Sequence, residues 1–176
     1  MNDTKRGKLE PTYGQDNGAI IVGRYRYLLW RTWAAARPRL LWVLLNPSTA
    51  DGQTADPTLR RCIGFSREWG YGGLEIVNLF AFRTRQPHDL QSTPDPVGSE
   101  NDRYLAEAAT RATRILVAWG ERGTYHQRDR TVLALLSQHA VQPLSCLGTT
   151  QNGCPCHPLY RARSTRPVPY QRVAAR

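Results

Sequence analysis

The sequence predicts an α/β domain: a three-layer sandwich with a mainly parallel, four-stranded central sheet and an N-terminal strand or hairpin. Three observations lead there. Short apolar runs of strand length alternate with segments of helical spacing. The run Leu40-Leu41-Trp42-Val43-Leu44-Leu45 has no polar alternation, as expected of a strand covered on both faces. The order β-α-β-α-β-α-β then calls for crossover connections between parallel neighbours.

The elements follow in order. Residues 19–32 are rich in Val, Ile, Tyr and Trp and read as one or two strands around Gly23. The Leu40–Leu45 strand stops at Asn46-Pro47. Asp56-Pro57 has the form of a helix start, an acidic N-cap followed by proline at the first helical position. Leu59, Cys62, Ile63, Ser66 and Trp69 trace one face of that helix, and Gly70 can end it. Leu74 to Asn78 reads as a strand, and a proline-containing loop leads to helical spacing over 99–113. Ile115 to Trp119 is the next strand, closed by Gly120, and a helix over 129–139 precedes a short strand at 144–147.

At 176 residues, 40% of them hydrophobic and five of them tryptophan, the chain is expected to form one domain, residues 19–176. Residues 1–18 read as a flexible arm, and the C-terminal tail is basic, with five arginines and no acid from Arg161 to Arg176. No stretch approaches the roughly 18 apolar residues of a membrane span, and no apolar segment follows a basic start as in a secretory signal. A cytoplasmic monomer without membrane contact is expected. The formal charge is +10, carried by arginine except for Lys5 and Lys8. Arginine suits bidentate phosphate contacts, so nucleic acid is the expected partner; an arginine-rich composition on a solvated surface is the bland alternative. Cys62 and Cys146 read as core residues. Cys154-Pro155-Cys156-His157 has the look of a metal clip but lacks a fourth ligand, and neither metal nor cofactor is expected.

Ligands of open α/β sheets bind outside the carboxyl ends of the strands. Asn46, Asn78 and Trp119-Gly120 each close a strand, and His157 lies in the loop after the fourth, so all can share one cleft. Singly they also read as a turn former, a strand terminator, a core aromatic and a loop histidine.

At these residues the chain resembles the uracil-DNA glycosylase superfamily. Leu44-Leu45-Asn46-Pro47-Ser48 is similar to its first motif, Ile76-Val77-Asn78-Leu79 to the strand whose asparagine reads the base, Val117-Ala118-Trp119-Gly120 to the apolar strand ending in Trp-Gly, and Cys156-His157-Pro158-Leu159 to its His-Pro loop. Leu45-Asn46-Pro47-Ser48-Thr49-Ala50-Asp51, Asp56-Pro57-Thr58 and His157-Pro158-Leu159-Tyr160 resemble more closely still a bacterial and phage domain family of unknown function. That family usually carries His and Arg where this chain has Cys154 and Cys156. Ser48 departs from the tyrosine and glycine of the glycosylase branches, and no second Ser-Pro follows His157-Pro158.

The resemblance implies a glycosylase-like fold and a DNA partner. It implies removal of a flipped-out damaged, mismatched or modified base by hydrolysis of its N-glycosidic bond. Asn46 would position the water, His157 would stabilise the departing base, and Asp51 would be the assisting carboxylate, with an Asp-Gly turn as its alternative. Asn78 would read the base edge, Ser48 would set the room beside it and Phe80 would stack on it. Leu159, Tyr160 and Arg161 would wedge into the vacated stack, and Arg83, Arg85, Arg161 and Arg163 would grip phosphates. The alternatives are a non-catalytic module for a modified base or nucleotide, and a DNA-binding phage or defence accessory.

Overall fold

The computed structural model describes residues 16–171. Seven strands form one mixed sheet: β1 (Asn17–Val22), β2 (Tyr25–Thr32), β3 (Arg39–Leu44), β4 (Gly73–Asn78), β5 (Ile115–Val117), β6 (Ser145–Cys146) and β7 (Val168–Pro169). Their order across the sheet is β1-β2-β4-β3-β5-β6-β7. The four central strands are parallel, whereas β1, β2 and β7 add antiparallel edges. Four α-helices accompany them among the described residues: α1 (Pro57–Glu68), α2 (Asp89–Ser92), α3 (Asn101–Arg111) and α4 (Arg128–His139).

Side-chain alternation along β3 distributes the core. Leu40, Trp42 and Leu44 pack with Leu59, Cys62 and Phe65 of α1. Leu41 and Val43 pack with Leu105, Ala108 and Ala109 of α3 and Val132 and Leu136 of α4. A strand buried on both faces has no polar side to show, which is why its sequence is uninterrupted. The Trp42 indole donates to Ser66 Oγ at 3.0 Å, so the one hydroxyl on the inner face of α1 satisfies the indole N–H it faces. Asp56 caps α1, its carboxylate accepting the Leu59 N–H at 2.8 Å, and Gly70, at φ +86°, allows the exit that Trp69 alone could not make.

The structure decides between the expected strand and hairpin at the N-terminal end and corrects the expected arm and tail. Residues 19–32 form a full hairpin, turned at Gly23 (φ +56°), and it extends the parallel sheet through β2 against β4. The hairpin begins at Asn17, inside the segment expected to be a flexible arm. The rest of that arm, residues 1–15, lies outside the described residues, as do residues 172–176 of the basic tail. Gly18 is fixed by contact: a Cβ there would stand 2.1 Å from the Trp30 ring. Part of the expected tail is also β7, whose Val168 pairs with Cys146. With two residues, one of them proline, it has neither the length nor the alternation that marks a strand in sequence. No described helix is long and apolar enough to cross a membrane.

Candidate functional site

The carboxyl ends of β3, β4 and β5 open on a cleft of about 710 Å³, within the usual range of about 300–1,000 Å³ for small-ligand sites. Leu29, Leu44, Leu59 and Ile76 give it apolar walls, and Asn46, Ser48, Asp56 and His157 stand among them.

Two loops are locked together to place His157. Gly120, at φ +74°, donates its N–H to Pro155 O at 2.8 Å, and Cys156 N–H reaches Gly148 O at 2.9 Å. The positive φ keeps the backbone after β5 close to the next loop; a Cβ at Gly120 would lie 3.8 Å from that of His157. His157 then caps a 3-10 turn, Pro158–Tyr160, with its Nδ1 accepting the Leu159 N–H at 3.4 Å. An accepting Nδ1 puts the imidazole proton on Nε2. Burial pulls the His157 pKa down from 6.5 to about 4, against the attraction of Asp56, so the ring is neutral at physiological pH. The site therefore holds a neutral N–H donor.

Asn46 is fixed through its amide nitrogen, which donates to Pro47 O and Thr84 O, both at 2.9 Å. That orientation leaves Oδ1 as its remaining polar group. The 3-10 turn after His157 presents Leu159 and Tyr160 outward, 43% and 83% exposed, at the rim of the cleft. Arg61 of α1 braces the turn from beneath, donating to Pro158 O at 3.4 Å and to Arg161 O.

The structure thus gathers Asn46, Ser48, His157, Leu159, Tyr160 and Arg161 around one cleft. It places the other candidates elsewhere. Asp51 is outside the lining; its carboxylate accepts the N–H groups of Gln53 and Thr54 at 2.9 and 2.7 Å, the Asx-type turn, and these bonds hold its pKa down. Phe80 is wholly buried in the core on the α3–α4 side, edge-on to His126, and offers no face to a ligand. Asn78 ends β4 at the expected edge but is 1% exposed, with the Arg26 guanidinium on its Oδ1 at 3.4 Å. Arg83 does not line the cleft, and Arg163 is a solvated side chain 3.8 Å from Glu68. Cys154 and Cys156 do not join a metal-holding cluster: among the described residues no three His, Cys, Asp or Glu side chains come together in one.

Sequence reasoning missed Arg26, Glu121 and Arg122, all in the lining, where Arg85, a phosphate-gripping candidate, joins them. With Arg161 they surround the cleft with four arginines against two acids, Asp56 and Glu121. Glu121 is kept ionised by a hydrogen bond from Thr150, with Asn152 adding a second. A charge inside the strand-forming run Tyr25 to Trp30 was the available signal for Arg26, since strands with both faces covered rarely hold one.

The family described as "Protein of unknown function (DUF1643)" matches residues 26–159. No curated protein matches the chain, and no solved structure does.

Proposed function

The chain belongs to the DUF1643 family of proteins of unknown function, and we propose that it is a DNA glycosylase-type protein that lifts a damaged, mismatched or modified base into this cleft and hydrolyses its N-glycosidic bond. The observation that carries the reading is the pairing of two braced, outward side chains, Leu159 and Tyr160, with a neutral histidine, His157, that caps the turn bearing them. A side chain that enters a base stack must be exposed and braced from behind, and Arg61 supplies the brace. The base that leaves the stack then faces His157 rather than solvent.

As the bond breaks, its electron pair leaves with the base and the sugar takes the positive charge. The Nε2–H of His157 donates to the oxygen that gains the charge, a role for which a neutral imidazole is suited because it needs no proton uptake. Oδ1 of Asn46 accepts from the water that adds to the sugar carbon; the water's surplus proton passes to the base or to solvent. The arginines around the cleft favour the approach of a polyanion.

The test is incubation with duplex and single-stranded oligonucleotides carrying a panel of modified bases, followed by alkali to cut at abasic sites. Strand cleavage that His157→Ala slows by about a hundredfold or more supports excision; no cleavage of any substrate sinks it. A second reading, a non-catalytic module for a modified base or nucleotide, is favoured by the state of the nearby carboxylates. Asp51 is engaged in a turn outside the cleft, Asp56 Oδ1 in the cap of α1, and Glu121 by Thr150 and Asn152, so all three already hold hydrogen bonds from the fold. Tight binding of a modified oligonucleotide without abasic product would select it.

A further inference from the structure

Three arginines among the described residues are buried: Arg26, Arg31 and Arg128, at 4%, 6% and 5% exposure. Two of them are consumed by the fold. Arg31 donates to the carbonyls of Trp30, Asp51 and Thr54, and Arg128 donates to Leu79 O and pairs with Asp102. Arg26 is different. Its Nη1 reaches Ala50 O at 2.7 Å and its Nη2 reaches Asn78 Oδ1 at 3.4 Å, but among the described residues its buried Nε has no partner and no carboxylate lies in ion-pair range. Asn78 Nδ2, beside it, is a second buried donor without an acceptor. Arg26 lines the cleft.

We propose that Arg26 forms an oxyanion subsite at the floor of the cleft, with Asn78 against it from behind the lining, built to take the terminal phosphate of a mononucleotide. Both orphaned groups are donors, so the missing partner is an acceptor, and a buried cation without a counter-ion calls for an anion. Burial lowers the Arg26 pKa to about 10 with Asp56 and Asp51 opposing and Arg83 and Arg31 reinforcing the drop, and the guanidinium stays charged at neutral pH. Asp56, the acid among these that lines the cleft, already accepts the Leu59 N–H. The floor is enclosed: a group reaching a side chain only 4% exposed has to end there. A phosphodiester continuing in both directions does not fit that geometry, whereas a monoester does, and the apolar walls above are the surroundings a base prefers. This subsite does not depend on base excision, because it needs neither the wedge turn nor the histidine.

The experiment is calorimetric titration of the full chain with inorganic phosphate, a nucleoside 5′-monophosphate and the corresponding nucleoside. Asn78→Asp is the decisive variant. It keeps the shape, supplies Arg26 with the carboxylate it lacks, and so preserves or raises the melting temperature while cancelling the positive floor. The monophosphate is expected to bind about tenfold or more tighter than the nucleoside, and Asn78→Asp is expected to erase that preference. Arg26→Gln is expected to do the same; if it fails to fold, Asn78→Asp carries the test. Equal binding of nucleoside and monophosphate, or an unchanged preference in Asn78→Asp, overturns the subsite. Oligonucleotides with a 5′-phosphate or a 5′-hydroxyl end separate the two sources of the same chemistry: a preference for the phosphorylated end assigns the subsite to strand ends, and none, beside tight monophosphate binding, assigns it to free nucleotides. Abasic product plays no part in these titrations, so this inference and the excision reading can each fail alone.

Discussion

Replacing His157 by glutamine removes one ionisable group from the mouth of the cleft and should change how stability responds to acid. In the folded chain burial holds the imidazole pKa near 4, whereas the unfolded value is 6.5. Above pH 6.5 the ring is neutral in both states and contributes no pH dependence. As the pH falls below 6.5 the unfolded chain takes up a proton that the folded chain refuses, so the wild type loses stability until about pH 4, where both forms are protonated. The span from 6.5 to about 4, at about 1.4 kcal/mol per pH unit, caps the loss at about 3 kcal/mol. The ring is partly exposed, and solvent screening brings the expected loss to about 2 kcal/mol. Urea denaturation of wild type and His157→Gln at pH 7.5, 6.5, 5.5 and 4.5 (on the order of one-unit steps) isolates it, because carboxylates common to both chains cancel in the difference. The wild type should lose ground to the variant steadily below pH 6.5, and NMR should find no His157 titration near 6.5. A difference that stays constant with pH would show an ordinary, solvated histidine and take away the neutral donor on which the proposed chemistry depends.

Leu159→Ala and Tyr160→Ala should leave the melting temperature within about 2 °C of wild type, because exposed side chains contribute little to stability, yet lower the fluorescence change of a 2-aminopurine opposite the target base. An unchanged signal would show that this turn is not a wedge. Ser48 lines the cleft at the position where the resemblance puts a tyrosine in one glycosylase branch, so Ser48→Tyr should shift acceptance from 5-substituted pyrimidines toward uracil, by about 1–3 kcal/mol of discrimination; equal selectivity in both proteins refutes the gate. Asp56→Ala should cost about 1 kcal/mol in denaturant unfolding through loss of the cap on α1, and an unperturbed midpoint would contradict the capping role.

Elements whose sequence mirrors their own burial are legible in the order of their residues. Leu40 to Leu45 is apolar throughout because α1 covers one face of β3 and α3 with α4 the other, and Asp56-Pro57 announces a helix because the cap is a local bond. β7 is not legible in this way, since its pairing with β6 is a tertiary event and Val168-Pro169 carries no signal of its own. The same division runs through the site. Asn46 and His157 stand out in the sequence because they follow strands at the ligand-binding edge. Phe80 was misplaced because the chain leaving β4 turns into the α3–α4 side, where Leu79 and Phe80 are wholly buried. Arg26 escaped because a charge within a strand is read by alternation as facing water, and only the packing of β2 between β1 and β4 reveals that it faces inward.

The extent of the family match bears on which parts of the chain make the cleft. It opens at Arg26 and closes at Leu159, residues far apart in sequence that both line the same cavity. Within those limits lie all the parallel strands, α1 with its cap, and the two loops that Gly120 and Pro155 tie together. β1 and β7 lie outside them. Each of these strands covers an edge that would otherwise expose unpaired backbone groups, β1 against β2 and β7 against β6, which is a structural service rather than a chemical one. The matched span is thus sufficient to assemble the cleft but for Tyr160 and Arg161 at its rim. Those two belong to the braced turn that begins at His157, and the brace itself, Arg61, is inside the match. A cavity whose floor carries an unsatisfied buried cation and whose rim carries braced, exposed apolar side chains is unfavourable on both counts for folding alone. The two proposals share one physical consequence: an anion at Arg26 would neutralise the buried cation, and a base stacked on Leu159 and Tyr160 would cover the exposed rim.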